Sequence, residues 1–138
     1  MSDDENESDI KGPLYSYFKA LAQIHTGICV MMLSDKMKVQ SKLMKDCSKL
    51  TSNSLSFGEV IGKTYQIFDM LKLSPSKYMK DSSVSYISCE YPTCFILQEN
   101  VIDDLVITII GDKLSATYAL YLSVLQEISD KIKAGIKQ

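Results

Sequence analysis

Apolar residues recur along this chain with two different periods, and the switches between them lay out its elements. After Gly12-Pro13, the residues Leu14, Tyr17, Phe18, Leu21 and Ile24 recur at three- and four-residue steps, which marks one face of a helix ending near Gly27. Ile28 to Leu33 then reads Ile-Cys-Val-Met-Met-Leu without a polar break, the pattern of a strand covered on both faces. From Met37 to Lys45, Val39, Ser41, Leu43 and Lys45 alternate with Lys38, Gln40, Lys42 and Met44. That mixture predicts a half-exposed strand, blunted by lysines at a sheet edge and pairing back as a hairpin.

The Ser/Thr/Asn cluster of Ser48 to Ser56 supplies an N-cap for a middle helix running to about Lys72 and closed by Ser74-Pro75. Its apolar arc, Phe57, Val60, Ile61, Tyr65, Ile67, Phe68 and Leu71, is wider than one sheet face needs, while Glu59, Lys63, Gln66 and Asp69 share the remaining sector. A loop from Lys72 to Ser82 follows. Three strands come next: Ser83 to Tyr91, Thr93 to Gln98, and Leu105 to Ile110. The last is nearly continuous in apolar residues and should lie beside Ile28 to Leu33. The first is interrupted by Ser and Glu, which places it near an edge. Leu114, Tyr118, Tyr121, Leu125, Ile128 and Ile132 then step by four and three into a long amphipathic C-terminal helix.

The expected order is α-β-β-α-β-β-β-α. Two strands that need cover on both sides call for an α/β (α+β) sandwich: a five-stranded antiparallel sheet, terminal helices on one face and the middle helix on the other. Residues 1–11, acidic and without aromatics, read as a disordered tail, and 12–138 as a single domain.

Composition narrows the function classes. All 15 basic residues are lysine, so the planar fork that grips phosphates and guanine edges is missing and nucleic acid is not the expected ligand. Five of the 17 acids fall within Met1 to Asp9, leaving 12 acids against 15 lysines elsewhere, a balance too even for long-range steering. An acidic start without an apolar run predicts an intracellular protein, and hence free thiols at Cys29, Cys47, Cys89 and Cys94.

Catalytic patterns are not found. The glycines form no phosphate-cradling motif, the cysteines lack paired zinc spacing, and His25 is the one imidazole. His25 reads as a helix-end residue, Cys29 and Cys89 as strand interior, and Asp103, Asp104 and Asp112 as turn formers. The expectation is a non-enzyme with no cofactor and no metal. A thiol-dependent activity at Cys89 or Cys94 is the enzymatic rival, and it requires a thiol of depressed pKa.

Two stretches carry a likeness. The run "LYSYFKALAQIHTGICVMMLSD" is a short helix entering an apolar strand that ends in Ser-Asp, and "SVSYISCEYPTCFILQENVIDDLVITIIG" precedes the long final helix. In this element order, from about Leu14 to Lys133, the chain resembles the Roadblock/dynein light chain superfamily, and most of all its scaffold branch in the lysosomal Ragulator complex. That resemblance implies a non-catalytic adaptor that pairs with another Roadblock-like subunit as a heterodimer, or with itself as a homodimer. It further implies Rag-type GTPases or signalling kinases as partners, and a place on late endosomes or lysosomes with membrane contact only through a partner. The alternatives are a dynein-associated light chain, or a longin-like trafficking subunit, whose order would begin with a strand.

The residues themselves point to a working surface. The excess apolar width of the middle helix and the open edge of Ser83 to Tyr91 would together extend the sheet into a partner. Gly62 and Thr64 allow close approach, Val60 and Ile67 give apolar contact, and Glu59 and Lys63 set charge register. Val84, Tyr86, Ser88 and Glu90 would line the strand.

Overall fold

The structure, a computed structural model, describes residues 11–35, 38–45, 66, 86–102 and 104–137 of the 138. Within them the chain forms α1 (Tyr15–Ile24), β1 (Ile28–Asp35), β2 (Lys38–Met44), β3 (Tyr86–Glu90), β4 (Cys94–Ile102), β5 (Leu105–Asp112) and α2 (Tyr118–Lys137). The strands make one antiparallel sheet in the order β2-β1-β5-β4-β3. The two nearly continuous apolar strands, β1 and β5, are therefore neighbours away from both edges. The lysine-bearing β2 and the polar-interrupted β3 form the edges. This is the α/β sandwich that the sequence predicts.

Both described helices pack on one face. Phe18, Leu21 and Ala22 of α1, with Tyr121, Val124, Leu125 and Ile128 of α2, close over Met31, Leu33, Leu43, Leu97, Ile107 and Ile109. Each large apolar side chain buried this way stabilises the fold by about 1.5–3 kcal/mol. Polar ties fix the helices in place. Lys45 Nζ donates to the carbonyl of Ala22 in the last turn of α1 at 2.6 Å, and Tyr17 Oη donates to Glu127 Oε2 at 2.8 Å, linking α1 to α2. The ammonium of Lys131 stacks 4.7 Å from the centre of the Tyr17 ring.

The second face is buried as well, around Val30, Met32, Cys94, Ile96, Val106 and Ile110. The middle helix that the sequence assigns to this face lies outside the described residues, apart from Gln66, which is helical and exposed.

Several boundaries differ from the sequence reading: β1 runs on to Asp35 and β5 to Asp112. Leu114 does not open the final helix: it is 94% exposed in a turn, and α2 starts at Tyr118. The carboxylate of Asp112 holds that turn, accepting from the Leu114 N–H at 2.9 Å and from Ser115 Oγ at 2.8 Å. Thr117 then caps the helix through Oγ1, which accepts from the Leu120 N–H. Strand β4 runs on past Gln98 to Ile102, because Glu99 and Asn100 continue the ladder to β5 and Ile102 resumes it after a bulge between Asn100 and Ile102. Strand β3 closes at Glu90, before Pro92.

Candidate functional interface

The register of β3 decides what its free edge offers. Tyr91 lies opposite Cys94 and donates its N–H to the Cys94 carbonyl at 2.8 Å, so that pair faces inward in the hydrogen-bonding direction. Antiparallel pairs alternate between bonded and non-bonded. Counting back through Glu90↔Phe95, Cys89↔Ile96, Ser88↔Leu97, Ile87↔Gln98 and Tyr86↔Glu99, the residues Cys89 and Ile87 bond to β4. The N–H and C=O groups of Tyr86, Ser88 and Glu90 therefore point outward. Among the described residues no strand pairs with that side.

Tyr86, Ser88 and Glu90 also share the sheet face on which the helices lie, since their partners Glu99, Leu97 and Phe95 do. Ser88 and Glu90 are exposed, and Tyr86 is half-buried. Glu90 forms an ion pair with Lys113, whose ammonium sits 5.4 Å from the centre of the Phe95 ring. At the other end of the strand the phenol oxygen of Tyr86 is buried and meets no hydrogen-bond partner among the described residues. The other expected contact residues, Glu59, Val60, Gly62, Lys63, Thr64, Ile67 and Val84, lie outside the described residues.

Beside β3 the sheet and α2 enclose a groove of about 550 Å³, lined by Tyr86, Glu99, Gln126, Ser129, Asp130 and Lys133. Ser129, 1% exposed, donates from Oγ to Glu99 Oε2 at 2.8 Å and so fixes the direction of that carboxylate. The sequence reading did not reach this groove. Glu99 stands two residues after Leu97, so the period-two count places it on the helix-covered face, but only if the strand is carried past Gln98. A second concavity, about 490 Å³ and apolar, lies between the start of α1 and the end of α2, with Leu14, Leu33, Leu105 and Ile132 in its walls.

The remaining candidate residues serve local structure. His25 is the C-cap of α1: its N–H donates to the Leu21 carbonyl and its own carbonyl accepts from Ile28. Cys29, Cys89 and Cys94 are thiols, and burial pushes the Cys94 thiol above its usual pKa, opposite to what a nucleophile needs. Among the described residues no group of three His, Cys, Asp or Glu side chains is placed to hold a metal ion, and no helix is long and apolar enough to cross a membrane.

Neither protein-family models nor curated proteins give a match to this chain. Solved structures do. A Roadblock/LC7 domain from Streptomyces avermitilis superposes with a TM-score of 0.65 at 8% identity, covering 87% of this chain and 94% of that one. A structure of MglB in a tetrameric arrangement superposes with a TM-score of 0.58 at 10% identity, over 88% of this chain and 94% of that one. With helix before strand at the N-terminal end, two edge strands and a long closing helix, the chain has the Roadblock/LC7 fold.

Proposed function

We propose that this protein is a non-catalytic adaptor that works by pairing with another Roadblock-like chain through the open edge of β3. The observation that carries this reading is the run of outward-facing backbone groups at Tyr86, Ser88 and Glu90. A partner strand laid against them gains main-chain hydrogen bonds without any rearrangement of the sheet. The tetrameric arrangement of MglB supports association as a habit of the fold. The helix that precedes β1 favours this reading over a longin-like module. The finer assignment to a Ragulator-type scaffold at late endosomes or lysosomes, with Rag-type GTPases or kinases carried by the pair, rests on the sequence resemblance.

Affinity purification from the native cell under mild salt, with wild type and Ser88→Pro in parallel, tests the reading. Proline at position 88 removes an N–H that faces away from β4, so the ladder to β4 stays intact while the outer edge is blocked. The expected result is a Roadblock-like partner recovered with wild type and lost with Ser88→Pro. Recovery of coat or tether subunits with wild type, or equal recovery with both chains, contradicts it.

A further inference from the structure

The two edges of the sheet are finished differently, and at β2 the chain crosses its own edge. The Lys45 N–H donates to the Cys29 carbonyl at 2.8 Å, so along the ladder Leu43 and Ser41 bond inward to Met31 and Leu33, while the backbone groups of Met44 and Lys42 point away from β1. The register then shifts between Leu33 and Ser34, and Gln40 stands opposite no residue of β1, as a bulge. The segment Gly12–Leu14 lies across that bulge. A Cβ built on Gly12 would overlap the Gln40 carbonyl oxygen and Ser41 Oγ, so glycine alone fits at the crossing. Ser41 is 0% exposed, and its Oγ accepts from the Leu14 N–H at 3.3 Å. Pro13, between the two contacts, has no N–H to offer another strand.

Lys38 and Lys42 stand two residues to either side of Gln40. A bulge, flanking lysines and a covering segment are three separate ways of stopping strand addition, and they meet at one point of one edge. Over Tyr86–Glu90 the β3 ladder has neither a bulge nor a lysine. The Tyr15 N–H donates to the Gly12 carbonyl at 3.1 Å, so the crossing segment is tied directly to the start of α1 and held where that helix seats. We propose that Gly12–Leu14 is a strap that shuts the β2 edge. While it is fastened, a strand laid along β2 cannot pass Gln40; once released, β2 becomes a second edge open to strand addition. The device concerns the opposite edge of the sheet from the proposed pairing site and does not depend on what pairs with β3.

Sedimentation equilibrium of the full chain, with amide exchange at Leu14 as the readout of the strap, tests the proposal. The set is wild type, Gly12→Val, Lys42→Thr, Gly12→Val with Lys42→Thr, and Gly12→Val with Lys42→Pro, each checked for unchanged circular dichroism. Valine at position 12 should release the strap and speed exchange at Leu14. Lysine 42 guards the same edge by charge, so Gly12→Val with Lys42→Thr is expected to self-associate at least ~10-fold more tightly than Lys42→Thr alone. Proline at position 42 removes an N–H that faces away from β1, and Gly12→Val with Lys42→Pro should return to the wild-type level. Ser41→Ala, which removes the acceptor of the Leu14 N–H and adds no atoms, opens the strap by a second route and should give the same association with Lys42→Thr even if Gly12→Val fails to fold. Released Leu14 without tighter association overturns the proposal, as does a Leu14 amide that stays slow in both Gly12→Val and Ser41→Ala. Association that survives Lys42→Pro also overturns it, because the surface in use would then lie away from β2.

Discussion

The ring of Tyr121 lies directly over Gly111. A Cβ built on that glycine would fall 2.6 Å or less from three atoms of the ring, Cζ, Cε1 and Cε2. Tyr121 is fully buried, and its Oη donates to the Asp112 carbonyl at 2.7 Å, so the ring cannot swing aside. Gly111 thus lets α2 settle onto β5.

Gly111→Ala should consequently overpack this contact and destabilise the fold by about 1–3 kcal/mol. Thermal unfolding reads this as a melting temperature lower by about 4–12 °C, on the order of 4 °C per kcal/mol for a domain of this size. An unchanged melting temperature would mean that α2 shifts freely on the sheet.

The legibility of the sequence follows from how local each cause is. Ile28 to Leu33 and Leu105 to Ile110 announce a sheet interior because double-sided cover is written in consecutive residues. The position of β3 could be read because Ser88 and Glu90 interrupt its apolar run. Leu114 misled, since it keeps the four-three step of the helix, while the carboxylate of Asp112 binds the turn that excludes it. The groove was hidden for a different reason. It depends on Ser129 meeting Glu99 across 30 residues, a contact fixed by how α2 is set on the sheet and not by any local pattern.

Gln98 and Thr108 test the second sheet face. Both are 0% exposed, and Gln98 Nε2 donates to Thr108 Oγ1 at 2.9 Å, while Gln98 Oε1 meets no partner among the described residues. Thr108→Val alone strands the amide donor as well and should cost about 1–3 kcal/mol. The double substitution Gln98→Met with Thr108→Val removes every polar atom of the pair and should be nearly neutral or stabilising. Urea unfolding of the single and double variants gives the comparison, and a double variant weaker than the single would refute it.

Alkaline pH should loosen the helix layer. Burial, together with the Glu127 hydrogen bond and charge, raises the Tyr17 pKa to about 12, and burial with the Asp112 charge raises Tyr121 to about 12. Both folded values lie above the ordinary 10.0, so the native state favours the protonated phenols. Their contribution is complete below about pH 10 and is lost as pH rises through about 12. The urea midpoint should hold steady up to about pH 9 and then fall. Tyr17→Phe should shallow that fall, and phenolate absorbance should show late-titrating tyrosines in the native chain that titrate with the rest in urea.

Backbone amide hydrogen exchange on β3, measured by NMR for the free chain and for the chain bound to its affinity-purified partner, tests the edge-pairing claim most directly. In the free chain the amides of Ile87 and Cys89, bonded to β4, should be protected, and those of Tyr86, Ser88 and Glu90 should exchange fast. In the complex, Tyr86, Ser88 and Glu90 should become protected by on the order of 100-fold, as an added strand takes up their N–H groups. Fast exchange at all three in both states would contradict the account, because the partner would then be bound somewhere other than the edge of β3.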